Sequence, residues 1–391
     1  MKILLLDAYD AASHKYWRAA ITSMLKDIEG DSIQWTELVL PPRYFSWRIR
    51  GNSLSWGKGE NDVLQSKSLD KDFDLVIATS MVDLSALRGF IPKLGLIPTL
   101  VYFHENQFSY PVGHNKQPAV EPQIVNLYAA LCADKVVFNS EFNQQTFLKG
   151  AESLLKKLPD EIPKGLVQEL SEKSSVLPVP IVEVQDQGDL NNTFIVKDTS
   201  NNQASLKQAP LKIVWNHRWE YDKGPERLLA FVKEVIAQDL IIELNIVGER
   251  FRNSPKAFDE IELLLKNNPQ QQLKQFGFIE SYQKYLKLLE ESDFVLSTSL
   301  HDFQGLSVLQ AVAKGCLPLV PNRMAYPQWF SSEVCYPEAD SEVQEAKNAV
   351  QHLKEYNWSN VRIDIESLSP HVLTPMYLKV FAATIAKSTI S

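Results

Sequence analysis

Cysteine is scarce: the 391 residues hold three, Cys132, Cys316 and Cys335, widely separated and odd in number. They form no CxxC pair and no zinc-ligand spacing. That excludes a disulfide-stapled secreted domain and a zinc module, and it predicts buried thiols in a reducing, cytoplasmic setting. Long apolar runs are also missing. No stretch approaches the ~18 apolar residues of a membrane span. Asp7 interrupts the opening run Met-Lys-Ile-Leu-Leu-Leu where a secretory signal would continue, so neither a membrane partner nor export is expected. Basic excess is absent too: the net charge is −8, which argues against a chain that binds nucleic acid over its whole surface. Residues 1–180 carry only −2 and the remainder −6, so a polyanionic partner would meet the first half.

What is present is ordinary globular material, 45% hydrophobic and 23% charged, in a chain too long for one core at roughly 150 residues per domain. Apolar strand-like runs alternate with helical stretches. Strands are expected at 2–9, 74–80, 99–106 and 134–140, and again at 211–219, 241–249, 273–279, 293–299 and 316–321. Helices fit between them, and near-continuous apolar strands with intervening helices predict parallel sheets covered on both faces. Residues 183–210 are polar and read as a linker or exposed loop. The expectation is an α/β chain of two Rossmann-like domains, 1–182 and 211–370, facing each other across a cleft, with a C-terminal helix at 371–391.

Ligands of open parallel sheets bind beyond the carboxyl ends of the strands. There the sequence places Ser13 and His14, then His104, Glu105, Asn106 and Gln107, then Asn139 and Ser140. In the second half it places Asn216, His217, Arg218 and Lys223, then Gly248, then His301, Asp302 and Gly305. Arg218 and Lys223 flank a helix start, where a guanidinium and an ammonium suit a diphosphate. Gly305 opens another helix whose free N–H groups can receive phosphate oxygens, and Asp302 and Gln310 can hydrogen-bond sugar hydroxyls. Residues 41–59 contain Arg43, Arg48, Arg50 and Lys58 with no acid, interleaved with Tyr44, Phe45, Trp47 and Trp56. Read as a loop, this segment suits single-stranded nucleotides.

The Arg218–Lys223 pair and HDFQGLSVLQAVAKG (301–315) resemble the retaining glycosyltransferases of the GT-B fold. DAYDAASHKYW, FSWRIR, YFHENQFSYPV, KVVFNSEFN, WNHRWEYDKGPE and the segment running on to PNRMAYPQWF are similar to the tRNA-queuosine mannosyltransferase family, from residue 1 to about 330. The resemblance implies GDP-mannose as co-substrate and a queuosine-containing, aspartate-type tRNA as partner. It also implies retention of configuration without a metal. Carried over, Arg218 and Lys223 hold the diphosphate, His104 contacts the donor sugar and Asp302 binds sugar hydroxyls. Asn216, His217, Gly248, Gly305, Leu306 and Gln310 complete the donor side, with Gln310 on the ribose. Ser13, His14, Arg43, Trp47, Arg48, Arg50, Glu105, Asn106, Gln107, Asn139 and Ser140 form the acceptor or RNA side. The wider group usually has Glu where this chain has Asp302 and Gln310, and glycines where it has Ala11 and Ala12. Residues alone leave other readings open. One is a glycosyltransferase with a different sugar nucleotide and a non-tRNA acceptor. Others are a non-catalytic tRNA- or nucleotide-binding protein of the same fold, and a sugar-nucleotide epimerase.

Overall fold

The computed structural model describes residues 1–29, 32–109, 120–184, 190–191, 210–250, 254–268, 271–358 and 361–388. The chain divides into two compact units, Met1–Val182 with Leu368–Ser391, and Glu183–Ser367.

The first unit is built on six parallel strands: β1 (Lys2–Asp7), β2 (Gln34–Val39), β3 (Leu75–Thr79), β4 (Thr99–Phe103), β5 (Lys135–Phe138) and β6 (Ser174–Val176). Their order is β2-β1-β3-β4-β5-β6. Strand β1 sits between β2 and β3, with Leu4 opposite both Thr36 and Val76. Its side chains from Ile3 onward are buried, as expected of a strand covered on both faces. The edge strand β2 is half-exposed along its length, which leaves no apolar run to announce it.

Residues 41–59 are not the expected loop. Phe45–Lys58 is a helix, although three serines, one asparagine and two glycines lower its intrinsic propensity. Packing overrides propensity here. Ile49, Asn52, Ser53 and Trp56 are buried at helical spacing. The Asn52 amide donates to the Arg48, Ile49 and Met81 carbonyls, and its oxygen accepts from the Asp83 N–H.

The helix Pro370–Ser388, expected as a separate terminal element, packs with the first unit. Its buried Tyr377 hydroxyl donates to the Pro178 carbonyl at 2.9 Å and accepts from Trp17 Nε1 at 3.1 Å.

Of the polar segment 183–210, two short strands are described, β7 (Glu183–Val184) and β8 (Leu190–Asn191), paired antiparallel. Residues 185–189 and 192–209 lie outside the described residues, so most of the expected linker does too. The second unit carries five parallel strands: β9 (Leu211–Trp215), β10 (Ile242–Val247), β11 (Gln272–Gly277), β12 (Phe294–Leu296) and β13 (Leu317–Leu319). Their order is β11-β10-β9-β12-β13. Strand order reverses between β9 and β12 here, and between β1 and β3 in the first unit. Each reversal opens a crevice at the carboxyl ends of the diverging strands, where doubly wound sheets bind ligands. Among the described residues no helix is long and apolar enough to cross a membrane.

Candidate functional site

In the second unit the reversal gathers the loops after β9 and β12. Lys223 ends a short 3-10 turn, Tyr221–Lys223, and Gly224 follows in a left-handed conformation (φ 65°). A Cβ on Gly224 would lie 2.1 Å from the Thr298 carbonyl oxygen, so only glycine lets the two loops meet so closely. The Lys223 ammonium donates to the His301 carbonyl at 2.9 Å and faces the Asp222 carboxylate at 3.2 Å and the Asp302 carboxylate at 3.6 Å. Burial works against its charge, but Asp302 and then Asp222 outweigh burial and raise its pKa. Asp302 responds in the opposite sense: burial would raise its pKa, yet Lys223 and then His217 hold it below the usual carboxylate range. Its Oδ1 accepts the Gly305 N–H at 2.9 Å.

Gly305 (φ 77°) starts the helix Leu306–Ala313. The first N–H groups of a helix lack intrahelical acceptors, so they can bind an anion. Leu306 and Gln310 on this helix are half-buried. Asn216 and His217 stand against the same helix start. The Asn216 amide donates to the Ser307 carbonyl at 2.8 Å and to the Tyr285 hydroxyl at 2.9 Å. His217 Nδ1 lies 3.2 Å from Ser307 Oγ. Asn216 Oδ1 and His217 Nε2 are buried and have no hydrogen-bond partner among the described residues. Burial, then the Lys223 charge, pushes His217 down to about 4, so its ring is neutral. Two such atoms beside one helix start are what a ligand's polar groups would satisfy.

Arg218 is more open and pairs with Glu220 at 3.0 Å. Its charge also opposes that of Lys223, so the two cations act on the same region. Gly248 serves backbone approach: a Cβ there would lie 1.8 Å from the His217 carbonyl oxygen.

In the first unit the reversal gathers a buried charged group. Asp7, the last residue of β1, is fully buried. Its Oδ1 lies 3.0 Å from His14 Nδ1 and accepts from the Thr79 hydroxyl at 3.2 Å, and its Oδ2 lies 3.3 Å from Arg18 Nε. Arg18 also pairs with Asp10 and Glu37. Burial resists charge on His14, but Asp7 outweighs it and raises the His14 pKa, with Glu105 contributing further. His14 stacks on His104, with ring centroids 4.2 Å apart. Burial, then the charges of His14 and Arg18, holds His104 well below its usual pKa, so it is neutral. Its Nε2 is buried without a hydrogen-bond partner among the described residues.

The other expected residues of this unit separate. Asn139 donates to the His104 carbonyl at 2.9 Å, Ser140 caps the helix Glu141–Leu155, and Asn106 bonds to Asn143 and Thr146. These side chains hold the loops that position His104. The Gln107 main chain is bound by Asn126 and Gln123, whereas Ser13 is exposed. Arg43 and Trp47 are exposed, Arg48 is buried, and Arg50 pairs with Asp83 at 2.8 Å and Glu121 at 3.5 Å. Asp7, Arg18, Asp222, Ser307 and Tyr326 were not among the expected site residues. A charged residue ending a fully apolar strand was the signal for Asp7. Tyr326, whose hydroxyl reaches Ser297 at 2.6 Å and Asp302 at 3.4 Å, carried none. Among the described residues no cluster of three or more His, Cys, Asp and Glu could hold a metal ion.

Solved structures share this fold. A trehalose-phosphate synthase from Burkholderia vietnamiensis superposes with a TM-score of 0.60 at 12% identity, over 100% of this chain and 98% of that one. The Anabaena protein HepE, solved with UDP and glucose, gives 0.54 at 13% identity, over 100% of this chain and 98% of that one. The fold is therefore GT-B. Residues 2–181 match the family model described as tRNA-queuosine alpha-mannosyltransferase N-terminal. A Drosophila melanogaster tRNA-queuosine alpha-mannosyltransferase is 29% identical over 388 residues, covering 98% of this chain and 97% of that protein. Residues 2–181 thus resemble that family's N-terminal domain, the whole chain is similar to a tRNA-queuosine alpha-mannosyltransferase, and on this GT-B fold the protein is a glycosyltransferase.

Proposed function

We propose that this glycosyltransferase moves mannose from GDP-mannose, with retention, to a hydroxyl of the cyclopentenediol of queuosine at the wobble position of aspartate tRNA. The observation that carries the donor half is Lys223, held within 3.6 Å of Asp302 where the Gly305 helix start also attracts anions. The acceptor half rests on the match to that family's N-terminal domain and on the activity named for the Drosophila relative. With tRNA as acceptor, the reaction belongs to the cytoplasm.

The step is a front-face displacement. The bond from the anomeric carbon to the β-phosphate oxygen breaks, and the acceptor oxygen bonds to that carbon on the same face. The acceptor proton passes to a phosphate oxygen of the departing GDP, so no protein nucleophile is required. Catalysis is positioning plus stabilisation of charge on the leaving diphosphate. Lys223, Arg218 and the amides after Gly305 supply the positive potential. Asp302, fixed as a carboxylate, accepts from sugar hydroxyls, and Gln310 bonds the ribose. His104, neutral with one open ring nitrogen, contacts the donor sugar. Leu306, Asn216 and His217 border the diphosphate.

The test is incubation of the protein with radiolabelled GDP-mannose and two tRNA pools, with and without queuosine. Label entering only the queuosine pool is the expected result. Label in neither pool would sink the proposal and turn attention to other sugar nucleotides and acceptors.

A further inference from the structure

The helix Phe45–Lys58 contains two glycines, each costing about 1 kcal/mol against alanine in a helix interior. Each makes room for an aromatic ring that stays open to solvent. A Cβ on Gly51 would lie 2.3–2.7 Å from three contiguous indole atoms of Trp47, so the indole rests broadside on bare backbone, yet Trp47 is 54% exposed. A Cβ on Gly57 would lie 2.6–2.9 Å from Phe90, whose ring is partly exposed and has the Lys58 ammonium 5.4 Å from its centroid. Tyr44, just before the helix, is 73% exposed and holds a left-handed backbone (φ 55°) that aromatic residues rarely adopt. The Arg43 guanidinium lies 5.9 Å from its ring. Tyr44, Trp47, Leu54 and Lys58 follow one another at helical spacing, which puts them on one stripe.

Aromatics needed only for packing would not be left open on one face. Strained backbone at an exposed side chain also marks functional surfaces. Rings pinned flat by glycine lose little entropy on stacking, and flat π-faces with nearby cations are what bases and phosphates require. Residues 41–59 include no carboxylate to oppose a phosphate chain. A bilayer-seeking face would present several protruding aliphatic side chains, whereas Leu54 is the exposed large aliphatic of this stripe.

We infer that this face, carried by Tyr44 and Trp47 and extended by Phe90, is a stacking platform for unpaired bases of the RNA acceptor. The inference rests on the reading that the acceptor is a tRNA. Its partner chemistry is single-stranded RNA.

Fluorescence anisotropy without any donor sugar tests it. The probes are a labelled queuosine-containing tRNA and its isolated anticodon stem-loop. Stacking by one base predicts that Trp47→Ala binds about tenfold more weakly, that Tyr44→Ala with Trp47→Ala binds more weakly still, and that Trp47→Phe recovers most of the loss. Thermal melting of each variant checks that the fold is kept. Gly51→Val, which displaces the indole without removing it, should weaken binding as well. Unchanged RNA affinity in the double variant overturns the inference. So does a loss confined to anionic phospholipid vesicles with tRNA binding intact, which would make the stripe a membrane face. Platform-dependent RNA binding by a protein that transfers no mannose would sink the proposed function and leave the platform standing. Normal transfer with indifferent variants would do the reverse.

Discussion

His14 and His104 stack 4.2 Å apart, and folding moves their pKa values in opposite directions. Asp7 raises the His14 pKa against its burial, whereas burial, then the His14 and Arg18 charges, hold His104 well below its usual value. Asp7→Ala would leave His14 and Arg18 without their buried anion. A loss of about 3 kcal/mol in stability is expected, measured by urea unfolding.

The His14–Asp7 pair also predicts a direction of pH dependence. The His14 pKa is raised on folding, so its stabilisation is fully present below the ordinary value of 6.5 and is lost as pH rises through the folded value. Unfolding curves from pH 6 to 9 should show this decline in the wild type. His14→Gln should flatten it.

His217 acts in the opposite sense. Its pKa falls on folding from 6.5 to about 4, so the unfolded chain binds the extra proton between these values. Stability should fall by up to about 3 kcal/mol as pH drops across that window, at 1.36 kcal/mol per pKa unit. His104 adds to the same slope. In His217→Asn the fall should be shallower, and an unchanged slope would show that the ring is not buried neutral.

Lys223→Ala removes the cation that Asp222 and Asp302 enclose. If Lys223 contributes about 3 kcal/mol of transition-state stabilisation, kcat for mannose transfer drops about a hundredfold. Steady-state transfer to queuosine tRNA reads this directly. An unaltered kcat would remove Lys223 from the reaction.

Gly248→Ala tests geometry alone. The new Cβ would meet the His217 carbonyl at 1.8 Å. The β9 and β10 loops must then separate, at a cost of about 2 kcal/mol and a fall of about 5 °C in Tm.

The sheets were legible wherever strands were buried on both faces: β1, β3, β4 and β5 each read as an apolar run. Strand β2 was not, because it lies at an edge and alternates nothing clearly. The helix Phe45–Lys58 was hidden by glycine, serine and asparagine, whose partners, such as Met81 for Asn52, are distant in sequence. At the candidate sites, following strand ends picked out Lys223, His217 and Asp302, which the structure gathers beside one helix start, and His104, which it stacks on His14. It could not separate Asn139 and Ser140, which hold loops, from residues with open atoms. That distinction depends on hydrogen bonds made only after folding. Tyr326 and Ser307 come from other segments, so no local pattern marks them.

The first unit is assembled from both ends of the chain, since Tyr377 in the last helix bonds to Trp17 and to the Pro178 carbonyl. During synthesis the first unit therefore stays incomplete while the second unit is made, until the helix Pro370–Ser388 follows. Deleting residues 370–388 would leave the five-stranded sheet, nearer in sequence, intact and damage the six-stranded one, nearly two hundred residues away.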